Sequence, residues 1–535
     1  MIRRTAFALS LGLGLALGLL WLLSSQNGVA LADPGILYVA PGGDCGGAIP
    51  CYATVQAAVD AANAGDEIRV AEGTYTGVQN VPSLSTATFT ATQIVAITKS
   101  VTIQGGYTTA NWTTPDPAAN STTLDAQGLG RVMVITGTIA PTVEGLRLTG
   151  GDATGLGGSR WGYDAGGGLY VYKATAIMNN CTVNSSTASA ASDGYGGGLY
   201  LRYASATLSG NTIISNKAST GGHGYGGGLY LHQSHHVTLK DNTISGNTDT
   251  TSGNGAGSGL YLHSSDYATL DGNTISNNID SVVANSHGGG LYLLYGDHLL
   301  LTGNTIQGNL ASAGWGWGGG LYLASSSNLT LTGNVIINNA ATSNPLSVGR
   351  GGALYIKFSG PFTLTNNVIA GNNATTAGSA LWLEGVSWLP TAGQLLHTTI
   401  ADNFGSAGIE VGSDSVNLSF TNTVIAGHVV GITVTSGSTV TLNATLWHGN
   451  STDWGGAGTI NHSSDHSGDP AFSADGYHLT FDSAAIDAGV DAGVTTDIDG
   501  EARPDGCFFD IGADEYITGV ECKRIYLPLV LSEEI

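Results

Sequence analysis

A glycine-rich phrase recurs through the middle of the chain about every 30 residues, and this repeat constrains the fold more than any other feature. Each copy reads GGGLY or a close variant of it. Self-similarity at such a period is typical of chains that stack one small unit on the next. The leucines that mark the copies are Leu169, Leu199, Leu229, Leu260, Leu291, Leu321, Leu354 and Leu381.

Two columns of asparagine follow these leucines in step. Members of the first column precede Thr-Ile or Val-Ile, and the second column lies five residues later. Both columns keep their spacing where the repeat lengthens or shortens, so we interpret them as positions that stack from unit to unit. The first column is Asn211, Asn242, Asn273, Asn304, Asn334 and Asn367, and the second is Asn216, Asn247, Asn278, Asn309, Asn339 and Asn372.

Each unit contains three short runs that alternate with a period of two, such as GLYL, VTL and NTI, and it lacks a helical stretch. Helical and leucine-rich repeats are therefore excluded, and a propeller blade needs four strands in about 40 residues. The pattern predicts an all-β chain, namely a right-handed parallel β-helix with three strands per rung, where a rung is one turn of the helix.

The residue types of the repeat fit this architecture. Leucine, valine and isoleucine at alternate positions are expected to fill the interior and to stack on their copies. Asparagine at a corner tolerates left-handed backbone and can hydrogen-bond to its stacked copy. Cys181 occupies the first asparagine column, so we expect it to be buried and unreactive.

Residues 1–32 have the pattern of a secretory signal peptide, with a basic start at Arg3 and Arg4, an apolar run and Ala30-Leu31-Ala32. The alternative is a retained membrane anchor, but no charged flank follows the apolar run. We expect a secreted or cell-surface protein without a membrane span once the signal is removed.

Acidic residues outnumber basic ones by 39 to 16. Loss of Arg3 and Arg4 with the signal peptide would bring the net charge to about −25. Such a field repels nucleic acid, which we exclude as a partner, and it disfavours polyanionic ligands unless cations bridge them.

Five cysteines suit an exported chain. Cys45 lies close to Cys51 in the sequence, and Cys507 lies close to Cys522. We therefore predict two local disulfides, one near each end, which leaves Cys181 free.

The chain resembles the right-handed parallel β-helix superfamily with the pectin-lyase fold. More narrowly, GGGLY…NTIxxN is similar to secreted bacterial surface proteins and to the repeats of polymorphic outer-membrane proteins. The resemblance implies an N-terminal cap and first rungs over 33–115, with a helix within 52–64 that plugs the first rung. It further implies β-helix repeats over 116–465, a C-terminal cap over 466–520 and a tail over 521–535.

The superfamily includes lyases, hydrolases, adhesins and structural stalks, so catalysis needs its own test. Polygalacturonase-like hydrolases carry NTD, DD, GHG and RIK in that order, whereas this chain has GHG before NTD and no Asp-Asp pair. We therefore favour a non-catalytic protein. The alternative is a polysaccharide lyase or glycoside hydrolase, with Arg202, His232 and His263 as the candidate catalytic residues.

The residue after each marker leucine should point outward, because side chains alternate along a strand. This column is aromatic throughout, and two positions further lies a variable column that includes Arg202, His232 and His263. An exposed aromatic stripe would suit the apolar faces of sugar rings, whereas the alternative is stacking that only stiffens the sheet. The candidate ligand-binding residues are Tyr170, Tyr200, Tyr230, Tyr261, Tyr292, Tyr322, Tyr355 and Trp382.

The segment Asp497-Ile498-Asp499-Gly500-Glu501 places carboxylates at alternate positions in a glycine turn. Asp497, Asp499 and Glu501 are candidate Ca²⁺ ligands, although a capping network around Arg503 would explain them equally well. The sequence indicates no other cofactor. It predicts a structural, adhesive or carbohydrate-binding rod whose partner is an extracellular polysaccharide or a cell-envelope glycan.

Overall fold

The structure is a computed structural model that describes residues 35–412 and 415–517. The predicted signal peptide 1–32, the tail 521–535 and Cys522 lie outside the described residues. The described part of the chain contains no helix long and apolar enough to cross a membrane.

Three columns of strands are stacked along one axis, because each of the three runs in a repeat pairs in parallel with the same run in the next copy; Gln79–Asn80, at the start of the first column, is antiparallel to its neighbour. The predicted β-helix is confirmed. Sheet 1 contains the GLYL runs, and its strands are Gln79–Asn80, Thr92–Ile97, Arg131–Thr136, Leu169–Tyr172, Leu199–Arg202, Leu229–His232, Leu260–His263, Leu291–Leu294, Leu321–Ala324, Leu354–Lys357, Leu381–Glu384, Ile409–Gly412, Val430–Val434 and Thr452–Gly456.

Sheet 2 contains the VTL runs and sheet 3 the NTI runs; the two join through the long strands Val416–Ala426 and Thr439–His448. The remaining strands of sheet 2 are Ile36–Val39, Cys51–Tyr52, Glu67–Ala71, Thr102–Tyr107, Thr142–Glu144, Thr175–Asn179, Ser205–Ser209, Thr238–Lys240, Thr269–Asp271, Leu300–Thr302, Leu329–Thr332, Phe362–Thr365, Thr391–Leu396 and Thr459–Ser463. Those of sheet 3 are Gly73–Tyr75, Thr122–Asp125, Leu146–Thr149, Thr182–Asn184, Thr212–Ile214, Thr243–Ser245, Thr274–Ser276, Thr305–Gln307, Val335–Ile337, Val368–Ala370, Thr399–Ala401 and His466–Ser467.

The loops that precede the triple glycines form two further sheets, which the sequence did not predict. Successive rungs contribute short strands to both sheets, and we call the two sheets together the arm. Sheet 4 consists of Thr187–Ser189, Lys217–Ser219, Thr248–Thr250, Ile279–Ser281, Leu310–Ser312 and Ala340–Thr342. Sheet 5 consists of Asp164–Ala165, Gly194–Tyr195, Gly224–Tyr225, Gly255–Ala256, Ser286–His287, Gly316–Trp317 and Gly349–Arg350.

One short α-helix, Val55–Ala61, lies in the predicted N-terminal cap region, with the 3-10 turns Pro41–Gly43 and Pro82–Leu84 nearby in the sequence. The hydroxyl of Thr54 caps the α-helix by accepting the N–H of Ala57 at 3.2 Å. Val55, Ala58 and Val59 are buried against the first rungs, as expected of a plug.

The interior is one continuous apolar stack, and the marker leucines are 0–2% exposed.

Both asparagine columns are ladders: Nδ2 of Asn242, for example, donates to Oδ1 of Asn273 at 2.9 Å. The expectation of left-handed backbone at these asparagines is wrong, however. The residue before each of these asparagines has the left-handed backbone instead, as Gly272 with φ 64° and Asn277 with φ 54°. The chain turns at that residue, and the asparagine amide after it points along the axis of the helix.

The cysteines agree with the prediction as far as the described residues reach. Cys45 and Cys51 form a disulfide. Cys181 is free and buried, and its backbone N–H donates to the Asn211 ladder amide. Burial raises the pKa of the Cys181 thiol to about 12, so it is held as an unreactive thiol. The second predicted disulfide stays a prediction, because Cys522 lies outside the described residues.

Candidate functional site

The aromatic column of sheet 1 is in register on successive rungs, as Tyr200 with Tyr230 and Tyr230 with Tyr261. The prediction that it forms an exposed stripe is wrong. Tyr170, Tyr200, Tyr230, Tyr261, Tyr322 and Tyr355 are 1–7% exposed, and only Tyr292 and Trp382 are half-buried.

Two contacts hide these rings. Neighbours in the column contact each other, some face to face, as Tyr200 and Tyr230 with centroids 5.4 Å apart, and others edge to face, as Tyr230 and Tyr261. The arm then covers their outer side: Tyr195 contacts Tyr230 edge-on, and His287 contacts Tyr322 in the same way. The ring faces are thus occupied by protein, which leaves no stripe open to a sugar ring.

The arm can fold over sheet 1 because the first glycine of each triple takes a backbone conformation that other residues avoid. Gly226 has φ 68°, and a Cβ built on it would lie 2.3 Å from the carbonyl oxygen of Leu229. A side chain there would push the arm away from the sheet. The GGG signature therefore specifies a tight reversal between sheets 5 and 1.

A cleft of about 410 Å³ opens at the N-terminal end of sheet 1, and we call it the Arg202 cleft. Sheet 1 forms the floor of the cleft, and residues 83–89 and Gly158 form its walls. An antiparallel β-bridge between Phe89 and Gly157 joins the two walls. The lining contains aromatic rings, hydroxyls and one arginine but no carboxylate: Ser83, Leu84, Thr86, Thr88, Phe89, Thr136, Gly158, Tyr170, Tyr172 and Arg202.

The buried side chain of Arg131 holds the two walls of the cleft in place. It is fully buried and donates from Nε to Ala165, from Nη1 to Thr90 and from Nη2 to Gly157, at 2.9, 2.8 and 2.6 Å. Its guanidinium also lies 4.8 Å from the ring centroid of Phe89. One buried cation therefore ties the loop before strand Thr92–Ile97 to the loop before the first triple glycine.

Arg202 itself is only partly engaged. Nη1 lies 3.4 and 3.3 Å from the carbonyl oxygens of Gly158 and Ser159, and the buried Nε has no hydrogen-bond partner. The guanidinium lies 5.7 Å from the ring centroid of Tyr172 and 5.0 Å from that of Tyr203. Such a group can donate to a ligand oxygen that enters the cleft.

His232 and His263 follow Arg202 on the next two rungs of the same column, as predicted. His232 is 1% exposed, and neither of its ring nitrogens has a hydrogen-bond partner. Burial, with the nearby His263 and Arg202, lowers the pKa of His232 to about 4, and burial also lowers that of His263. Both imidazoles are therefore neutral near pH 7.

A second polar group lies further along the same column; the sequence places Tyr355 and Trp382 in the aromatic column but does not predict the contacts that follow. Nζ of Lys357 is 3.1 Å from Oε1 of Glu384, and the hydroxyl of Tyr355 donates to the other oxygen of that carboxylate. The guanidinium of Arg350 lies 4.5 Å from the ring centroid of Trp382. The Glu384 carboxylate is thus paired with both Lys357 and Tyr355, which favours a structural role for it.

The predicted Ca²⁺ ligands do not converge. Asp497 is buried and accepts the N–H groups of Asp499 and Glu501 at Oδ1 and that of Glu515 at Oδ2. Its carboxylate caps the turn, and Arg503 pairs with Glu515 at 2.7 Å with both side chains fully buried. The capping alternative is the correct one for Asp497.

Asp499 instead approaches His478 and Asp514, which the sequence did not single out. The three ligand atoms lie within 4.8 Å of one another. Burial lowers the pKa of His478, but the hydrogen bonds to Asp475 and Asp499 outweigh it and raise the pKa to about 9. The sequence also carried no signal for Phe89 and Arg131. They lie outside the repeat, and only the fold brings them next to it.

Comparisons with known proteins bear on the fold. Residues 144–279 and 250–387 match the family model described as right handed beta helix region. Among solved structures, the chain is similar to pectate lyase Pel9A, with 13% identity over 91% of this chain and 97% of that chain and a TM-score of 0.34. It is also similar to the family 28 exopolygalacturonase of Yersinia enterocolitica, with 12% identity over 81% and 78% and a TM-score of 0.36. A search of curated proteins finds no match.

Proposed function

We propose that this right-handed parallel β-helix protein is a secreted or cell-surface rod that binds a carbohydrate chain in the Arg202 cleft without catalysis. The observation that carries the proposal is the composition of the cleft. Phe89 and Tyr172 offer aromatic surface, threonine hydroxyls offer hydrogen bonds, and Arg202 offers a guanidinium whose contacts to the carbonyl oxygens of Gly158 and Ser159 are long. Sites of this kind, apolar walls with a few placed polar groups, suit small polar ligands such as sugar units.

The absence of carboxylates from the cleft lining supports a non-catalytic role. Glycoside hydrolysis ordinarily needs two carboxyl groups facing one bond, and the residues lining the cleft include none. Glu384, further along the column, is already paired with Lys357. The partner we propose is an extracellular polysaccharide or a cell-envelope glycan.

The second candidate is a polysaccharide lyase or glycoside hydrolase that uses Arg202, His232 and His263. One observation favours it: His232 is neutral near pH 7 and has two unpartnered ring nitrogens, so it could accept a proton. The burial of His232 weighs against it, because a base must reach the substrate proton.

The two candidates are separated by one set of assays on the full chain. Glycan-array binding would be compared between the wild type, Arg202→Ala and Phe89→Leu, with Arg147→Ala as the control, because Arg147 is an exposed arginine on sheet 3. We expect both cleft variants to lose affinity about 10-fold or more, which corresponds to about 1.4 kcal/mol, and the control to change less than about 2-fold.

The same samples would be tested for new reducing ends and for unsaturated sugar products. Product that disappears in His232→Gln would favour the enzyme. Equal binding by the wild type and both cleft variants would contradict the cleft assignment, and a wild type without glycan binding would contradict the proposed function.

A further inference from the structure

We propose that the C-terminal cap binds one divalent transition-metal ion, of the Zn²⁺ type, through His478, Asp499 and Asp514. The three residues come from separate stretches of the cap: the turn 473–478, the glycine turn 497–501 and the segment 510–516. Folding nonetheless brings one nitrogen and two carboxylate oxygens within 4.8 Å of one another.

The imidazole is oriented as metal-binding histidines are. Nδ1 of His478 hydrogen-bonds to Oδ2 of Asp475, and this turns Nε2 toward Asp499, whose Oδ2 lies 2.6 Å away. A carboxylate on the far ring nitrogen is the usual outer-shell partner of a metal-bound histidine, because it fixes the ring and raises its basicity. Asp475 is itself held by the backbone N–H groups of Tyr477 and His478.

Asp514 supplies a ligand from the buried side. It is 5% exposed, and its Oδ2 accepts the N–H of Leu479 at 2.6 Å, so the carboxylate is fixed next to the histidine that precedes that residue. Asp499 is exposed and closes the site toward solvent, where an ion can enter. The proposed site thus has a fixed, buried ligand in Asp514 and a solvent-accessible ligand in Asp499.

Charge around the site is unbalanced in the direction that favours a cation. Asp475, Asp499 and Asp514 surround the imidazole of His478, and Asp497 lies near Asp514. Arg503, the nearby arginine, is committed to Glu515 in a fully buried pair. A dication would replace the proton between His478 and Asp499 and would compensate carboxylates that burial otherwise penalises.

The donor set selects the class of ion. Calcium prefers six to eight oxygen ligands, whereas Zn²⁺ binds histidine nitrogen and carboxylate oxygen together, commonly with water in a remaining position. One nitrogen and two carboxylates therefore fit Zn²⁺ better than Ca²⁺. Bound there, the ion would add to the hydrogen bonds that join the three segments and would stabilise the C-terminal part of the chain.

The chain provides a matched control for the test. Nδ1 of His462 lies 2.6 Å from Oδ2 of Asp465, which is the same histidine–aspartate contact at the same spacing of three residues, but His462 belongs to no convergent group of three ligands in the described residues. His478→Gln and His462→Gln thus remove the same kind of side chain from a proposed site and from a simple ion pair.

Isothermal titration would be run on the metal-stripped full chain with Zn²⁺, and separately with Mn²⁺ and Ca²⁺. We expect the wild type and His462→Gln to bind one Zn²⁺ that raises the midpoint of thermal unfolding. We expect His478→Gln to lose that site and Asp514→Asn to bind at least about 10-fold more weakly. Asp514→Asn keeps the shape of the residue, so it tests the site even if His478→Gln folds poorly.

Two results would overturn the proposal. The first is equal Zn²⁺ binding by the wild type, His478→Gln and Asp514→Asn, or no binding by any of them, which would leave the cluster as an ion pair network. The second is tight Ca²⁺ binding that survives His478→Gln, which would mean that oxygen ligands alone form the site.

Discussion

At the scale of single residues, the least expected feature is a pair of buried acids inside the arm. The central position of each strand in sheet 4 is alanine, as at Ala218 and Ala311, except on two adjacent rungs where it is Asp249 and Asp280. Both are fully buried and lie close enough to affect each other's protonation, and the N–H of His287 donates to Asp280. Burial raises the pKa of Asp249 to about 7 and that of Asp280 well above its usual value.

This pair predicts a pH-dependent stability. Since the folded-state pKa is raised, the folded chain keeps a proton that the unfolded chain releases near pH 4, so stability falls as the pH rises from about 4 through 7. The double variant Asp249→Ala, Asp280→Ala should be more stable than the wild type at pH 8 by about 2–4 kcal/mol, but not at pH 4. Urea unfolding at both pH values, with the exposed Asp482→Ala as control, would check it; the same pH slope in the double variant would contradict it.

At the scale of elements, the asparagine ladders hold the corners of the rungs. Asn278 is fully buried, donates from its backbone N–H and from Nδ2 to Oδ1 of Asn309, and accepts at Oδ1 from the N–H and Nδ2 of Asn247, all at 3.0 Å. Each rung thus satisfies a buried amide of its neighbour, and interrupting one ladder leaves unpaired groups on both sides.

Asn278→Ala is therefore expected to destabilise the folded protein by about 2–4 kcal/mol, because the buried N–H and Nδ2 of Asn247 lose the oxygen to which they donate. The matched control is Asn277→Gly, at the adjacent exposed position whose backbone is left-handed with φ 54°. Glycine already occupies the equivalent positions Gly246 and Gly308, so this variant should be close to neutral. Thermal unfolding would measure both; similar losses in the two variants would argue against the ladder as the source of stability.

At the scale of the whole molecule, a β-helix has two open ends, and in the described residues a helix covers the first of them. The helix Val55–Ala61 covers the first rungs beside the Cys45–Cys51 disulfide. The C-terminal segment, organised by the buried Arg503–Glu515 pair, instead packs on the outer side of sheet 3, where Leu479 and Ile511 join Val424 and Leu446 in one apolar cluster. Closure matters because an exposed strand edge would pair with other chains.

Peptide mass mapping of the non-reduced protein should find Cys45 linked to Cys51 and Cys507 linked to Cys522. Cys181 should resist alkylation until the protein is denatured, since its thiol is buried and its pKa is raised to about 12. Rapid labelling of Cys181 in the folded protein, or a disulfide that joins it to either end, would mean that the ladder column around it is not closed.

The sequence by itself determined the rod, because a local pattern repeated in register leaves little choice about which residues stack. Leu260 and Asn273 lie where their period placed them. The site was decided by tertiary structure, because it depends on residues that no period connects. The alternation of side chains correctly placed the Tyr230 ring on the outer face of sheet 1. Only the position of the arm, through Tyr195, determined that this ring is buried. Phe89 contacts Tyr170, and His478 approaches Asp514, although each pair is far apart along the chain and no repeat connects its members.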